Sequence, residues 1–179
     1  MINSNELTLI YFNGVTEQGF SKPFKFIASD QNMYYVKQQK ECRVKEWLAA
    51  NLAMKWGLPI APFSLVRLEE DLLDEIDSKH KGPCGLKPGV FFGSKHVDNC
   101  RWVEHNDLEK IISDNDFRQN LLIFDCWIQN QDRTSGNTNL IFNEKEQKTF
   151  VIDHNQAFDD CFCMDSFFNN HVFGCEWEK

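Results

Sequence analysis

Short apolar runs and longer helical stretches alternate through the first half of the chain. Residues 7–12 (LTLIYF) form a β-branched and aromatic run that predicts a first strand, ended by the turn pair Asn13-Gly14. Residues 24–28 and 33–36 predict two more strands around the polar turn 29–32. Alternation in the second places Tyr35 and Lys37 on one face, Tyr34 and Val36 on the other. The period then changes. Over 41–56, Trp47, Leu48, Asn51, Leu52 and Lys55 recur at helical spacing with alanines between them, and Gly57 and Pro59 supply the stop. Glu46 lies one turn into this helix, on the flank of its apolar face. Residues 63–68 (FSLVRL) predict a strand. Residues 69–79 predict an amphipathic helix with Leu72, Leu73 and Ile76 inward. The stretch 81–89 (KGPCGLKPG) is the richest in Gly and Pro and reads as a linker, after which 90–95 reads as an apolar strand.

In the second half, residues 105–108 open a predicted short helix capped by Asn106. Residues 113–116 offer another cap, and 117–129 predict a helix with Leu121, Leu122, Phe124, Asp125 and Ile128 on one face. An acid there is unusual. Asp125 either holds the following loop through hydrogen bonds or sits at the edge of the stripe. The polar loop 130–139 comes next, then two apolar runs, 140–142 and 150–152, joined by the charged turn 143–148. That hairpin ends abruptly on Asp153-His154. The tail beyond it is rich in Phe, Asn and Cys and has no clear period.

Composition narrows the class. At 179 residues, 42% hydrophobic and with sixteen Phe, the chain can bury a real core. No apolar run approaches membrane-spanning length and the first residues lack a basic signal-peptide start, so a cytoplasmic protein is expected. A net charge of −8 argues against a nucleic-acid backbone as the main partner. Seven cysteines are not spaced as a secreted disulfide framework, and free thiols are expected. Cys161, Cys163, His171 and Cys175 cluster near the C-terminus, but their spacing fits no standard zinc finger.

The chemistry concentrates in residues 124–153. Asp132 and Asn137 share one loop with four residues between them, and a hairpin returns Asp153 beside that loop. One amide and one carboxylate oxygen suit Mg²⁺, which takes few protein ligands, and Asp132 is then left to orient or deprotonate a hydroxyl. Protein kinases use an Asp-x-x-x-x-Asn loop followed by a strand-end metal Asp. Here the Arg follows the Asp, as Asp132-Arg133-Thr134, where ordinary kinases have it before.

With that order the segment resembles the HipA-like kinases, whose loop reads Asn-x-Asp-Arg-Thr-x-x-Asn-x-Asn-Leu and whose metal acid sits in Ile-Asp-His. The matching residues are Asn130, Asp132, Arg133, Thr134, Asn137, Asn139 and Leu140, then Ile152, Asp153 and His154. The strand Tyr34-Tyr35-Val36-Lys37 and the passage 56–62 (WGLPIAP) are similar to the family's upstream elements. The resemblance implies an α+β, two-lobed protein-kinase-like fold. Its N-lobe would be an antiparallel sheet with one helix over residues 1–88. Its short, mainly helical C-lobe over 89–179 would carry the catalytic loop 130–139 and the metal-binding hairpin 139–154.

It further implies ATP and Mg²⁺ as cofactors, with transfer to a Ser/Thr hydroxyl of a protein or to a small-molecule alcohol. Lys37 would reach the phosphates, held by Glu46, with Glu41 as the second choice. Gly19 and Ser21 would lie in the phosphate-covering loop, Asn137 and Asp153 would hold the metal, and Asp132 would steer the hydroxyl. Arg133 would either neutralise phosphate or anchor the loop. The family carries more helices after the metal strand, so a short or truncated member, or a regulatory protein partner that completes the lobe, is expected. The alternative function is a pseudokinase, a nucleotide-binding interaction module without transfer.

Overall fold

The computed structural model describes residues 6–16, 22–76 and 86–175, and these form two compact units. Unit 1 takes the chain as far as Val44 and again from Ala61 to His96. Unit 2 takes Lys45–Ile60 and the residues from Val97 onward. The sequence places a boundary at 88/89 instead; the strand that follows this point belongs to unit 1.

Unit 1 is a five-stranded barrel of β1 (Leu7–Val15), β2 (Phe24–Ala28), β3 (Met33–Val36), β4 (Phe63–Leu68) and β5 (Gly89–Lys95). Neighbours run antiparallel in the order β1-β2-β3-β5-β4, and β4 closes on β1 in parallel through the pairs Leu7–Val66 and Thr8–Arg67. An antiparallel sheet was expected. The closing pair is parallel because β4 enters after a long crossover that contains a helix, where a hairpin would have reversed it. A second expectation also fails. Asn13-Gly14 does not end β1: Gly14, at φ +94°, bends the strand within a register shift between Phe12 and Val15.

Alternate residues of these strands fill the barrel: Leu9, Phe26, Tyr34, Val36, Val66, Leu68 and Phe91 are each at most 2% exposed. Tyr34 stays inside because its hydroxyl donates to Asp30 Oδ2 at 2.9 Å. Gly93 is required by close approach, since a Cβ there would stand 2.9 Å from Val66 Cγ1. α2 (Glu70–Glu75) follows β4, with Leu72 buried and Glu70 and Asp71 in its first turn. The helix expected over 69–79 stops at Glu75, where Ile76 turns extended; residues 77–79 and most of the linker 81–89 lie outside the described residues.

α1 (Lys40–Trp56) begins in unit 1 and continues in unit 2. At its start, the Arg43 guanidinium lies 3.5 Å over the Phe91 ring and donates to the carbonyls of Gln38 and Val90. The rest of unit 2 contains helices and a sheet, where a mainly helical lobe was expected. β6 (Cys100–Trp102), β7 (Leu140–Asn143) and β8 (Lys148–Val151) are antiparallel in that order. The helices are α3 (Leu108–Ile111), α4 (Asn115–Trp127) and α5 (Met164–Asn170). Asn106 does not cap α3; it sits inside a 3-10 turn, His105–Asp107, that leads into the helix. The core of unit 2 gathers Ala49, Ala53, Leu121, Leu122, Phe124, Leu140 and Val151 with Phe167 from α5.

Candidate functional site

α4 aims the site. Asp114 caps it, accepting from the backbone N–H of Asp116 (2.9 Å) and Phe117 (3.2 Å), a contribution of ~1 kcal/mol. Leu121, Leu122, Phe124 and Ile128 bury one face, and Asp125 lies among them fully buried. Gln129, in the left-handed region at φ +55°, turns the chain out of the helix. Asn130 is tied back at once: its backbone N–H donates to Asp125 O at 2.8 Å and its Nδ2 to Asp125 Oδ1 at 2.9 Å.

Of the two roles open to Arg133, anchoring is the one its geometry serves. Its side chain is wholly buried, with Nε 2.6 Å from Asp125 Oδ2. Nη1 donates to the carbonyls of Thr138 (3.2 Å), Asn139 (2.7 Å) and Ile152 (3.4 Å). A guanidinium engaged in this way fastens the C-terminal end of the loop and the residue that follows β8 to α4. The same Asp125 Oδ2 receives a bond from His171 Nε2 at 3.1 Å. His171 Nδ1 accepts from the Phe173 N–H at 3.1 Å, which assigns the proton on the other nitrogen to the bond with Asp125. Burial alone would push the Asp125 carboxyl up. The Arg133 charge and the His171 bond overcome that and hold it far below the usual carboxylate range.

On this frame the loop presents Asp132. Its Oδ2 accepts from Asn137 Nδ2 and from Asn139 Nδ2, both at 3.1 Å, so two amides fix one oxygen of the carboxylate. Thr134 and Asn137 close the turn between them with paired backbone bonds of 3.0 and 3.1 Å. Asn139 is buried and left-handed at φ +49°, a conformation Asn tolerates better than most residues. Asn137 is exposed, and because its Nδ2 points at Asp132, its carbonyl oxygen is the other branch of the amide.

The hairpin then brings in Asp153. Leu140 pairs with Val151, and the Ile152 N–H donates to Asn139 O at 3.1 Å, so Asp153 leaves the sheet next to the loop that carries Asp132. Asp153 is itself left-handed at φ +58°. Such strain in an acid is held only where the surroundings demand it, here the ladder bond on one side and the buried His154 on the other. An amide oxygen and a carboxylate oxygen form a donor set for a hard divalent cation, and Asn137 and Asp153 fit Mg²⁺ on that ground. Among the described residues no three His, Cys, Asp or Glu side chains gather as a metal cluster. His171 serves Asp125, and Cys161, Cys163 and Cys175 are exposed free thiols.

The other expected residues distribute as follows. Lys37 directly follows β3 in unit 1, where Tyr35, on the same face, bonds His96 Nδ1 through its hydroxyl at 2.9 Å. Glu46 belongs to unit 2 and is only 5% exposed, a depth at which a carboxylate requires cations or donors around it. Gly19 and Ser21 lie outside the described residues. Sequence reasoning missed the part played by His171, which stood out only as a zinc candidate. It is 46 residues from Asp125, and no local period links the two.

Comparison with known families gives the class: the chain is a kinase-type phosphotransferase. It belongs to the HipA-like kinase family, which matches it over residues 10–179. No curated protein matches the chain.

Proposed function

We propose that the protein is an ATP- and Mg²⁺-dependent kinase that phosphorylates a hydroxyl, with Ser or Thr side chains of a protein as the favoured acceptor class. The observation that carries this reading is the carboxylate of Asp132, pinned through Oδ2 by the amides of Asn137 and Asn139 beside the strand end that bears Asp153. A carboxylate so fixed orients an acceptor hydroxyl and takes its proton as the new oxygen–phosphorus bond forms and the bond from the γ-phosphorus to ADP breaks. Asn137 and Asp153 hold the metal, whose positive charge offsets that of the phosphates. Lys37 contributes a cation for the phosphates. Phosphoryl transfer asks a protein chiefly for positioning and charge neutralisation, and a loop tied to its helix by a buried ion pair supplies positioning.

The test is ATP consumption and autophosphorylation with and without Mg²⁺, on the wild type beside Asp132→Ala and Asp153→Ala. Mg²⁺-dependent incorporation is expected in the wild type only, with nucleotide binding kept in Asp132→Ala. Undiminished transfer by Asp132→Ala defeats the assignment. Nucleotide binding without transfer in the wild type would make the protein an interaction module.

A further inference from the structure

The segment after the hairpin, which has no readable period in sequence, touches the loop at Arg133 and Thr134 and touches α4 at Asp125. α5 delivers His171 as its C-cap, with the His171 N–H on Phe167 O at 2.8 Å. His171 and Thr134 then form a backbone bridge, and the Val172 N–H donates to Arg133 O at 3.0 Å. From there the His171 side chain reaches Asp125 Oδ2, the oxygen that also holds Arg133 Nε. The ring cannot easily turn away: it lies 4.9 Å from the Phe167 ring and 6.0 Å from that of Phe173, with its Nδ1 tied to the Phe173 N–H. The turn that seats it depends on Gly174, where a Cβ would run into Phe168 O, closer than any side chain could stand.

We infer that His171 is a positioning residue for the catalytic loop: it fixes Asp125, Asp125 fixes Arg133, and Arg133 fixes the carbonyls that set Asp132, Asn137 and Asn139 in place. This rests on the reading of residues 130–139 as the catalytic loop. The chain of contacts runs 171 to 125 to 133 to 138, 139 and 152, and it has no branch to solvent, because the side chains of His171, Asp125 and Arg133 are all fully buried. His171 needs no contact with either substrate. It sets how sharply the loop is held, and therefore the rate of transfer more than the affinity for nucleotide.

Hydrogen exchange and kinetics on full-length His171→Ala and His171→Gln test this. Gln offers an amide donor near the place of Nε2. In His171→Ala the amides of Thr134, Asn137 and Ile152 should exchange about tenfold faster or more, while those of β7 and of the barrel keep their wild-type rates. kcat should fall roughly 100-fold, the effect of a misplacement of about 1 Å, with the KM for ATP little changed. His171→Gln should recover part of both. Unchanged loop exchange overturns the inference, as does an equal rise across all of unit 2, which would make His171 an ordinary core residue. If the wild type transfers no phosphate, the kinase reading fails, and loop exchange still decides whether His171 holds the loop.

Discussion

Replacing Arg133 with Met tests the structural reading most directly, since Met keeps much of the apolar stem and removes only the charged fork. In the native protein that fork is wholly buried against Asp125 and donates to three carbonyls. Its removal leaves the Asp125 carboxylate buried with only His171 Nε2 and Asn130 Nδ2 as donors. Thr138 O loses its guanidinium donor, whereas Asn139 O keeps the Ile152 N–H. Breaking a buried pair by removing one partner costs about 3–5 kcal/mol, and an unsatisfied carbonyl costs about 1–3 kcal/mol. Arg133→Met should therefore lower the stability of unit 2 by about 4 kcal/mol, a large part of the roughly 5–15 kcal/mol that holds a domain.

The chain carries its own probe for that measurement. Trp47, Trp56, Trp102 and Trp127 all belong to unit 2, whereas Tyr11, Tyr34 and Tyr35 belong to unit 1. Denaturant titration followed by tryptophan emission therefore reports unit 2 by itself. The double variant Asp125→Asn with Arg133→Met should cost less than the sum of the singles, by about 2 kcal/mol, because the stranded charge has been removed with its partner. A single variant within about 1 kcal/mol of wild type, combined with weakened ATP binding, would refute the reasoning and make Arg133 a phosphate ligand.

Acid should act through the same pair. Asp125 has its folded-state pKa depressed below the ordinary carboxylate value, so it contributes stability that is present above about pH 4 and lost as pH falls toward the folded value. The tryptophan-reported transition of wild type should thus weaken below pH 4 more steeply than that of Asp125→Asn; parallel curves would exclude Asp125 as the source. In unit 1, Gly93→Val should cost about 1–3 kcal/mol, because its Cβ meets Val66 Cγ1 at 2.9 Å and the Tyr34 ring at 3.1 Å. Hydrogen exchange at the amides of β3, β4 and β5 should register the loss, and unaltered exchange there would contradict the packing described.

The readable parts of this fold are those in which neighbours in sequence are also neighbours in space. α1 and α4 announce themselves through the i, i+3, i+4 spacing of Trp47, Leu48, Asn51 and Leu52 and of Leu121, Leu122, Phe124 and Ile128. The strands 24–28, 33–36 and 63–68 lie where their apolar runs predict. Asp125 stands out because an acid on an apolar face needs a reason, and Arg133 proved to be that reason. What stayed hidden depends on partners far along the chain. β6 is three residues long, with Arg101 and Trp102 exposed, and only its pairing with β7 makes it a strand. Closure of the barrel depends on two residue pairs between β1 and β4, and no local pattern announces them. His171 sits in a stretch whose burial comes from Phe167 and Phe173 folding over it, a long-range event without a period.

The closed barrel also bears on self-association. Unit 1 closes its five strands into a barrel, so among its described residues every strand has a neighbour on both sides. Its weakest seam is β1 against β4, two residue pairs supported by the exposed ion pair between Arg67 and Glu6. Parting of that seam would uncover two apolar strands, LTLIYF and FSLVRL, each the kind of segment that recruits copies of itself. In unit 2 the outer strand β6 is guarded differently: it is short, and its Arg101 is held outward by Asp107 and Glu144. Aggregation under stress should therefore begin with opening of the barrel rather than with melting of unit 2.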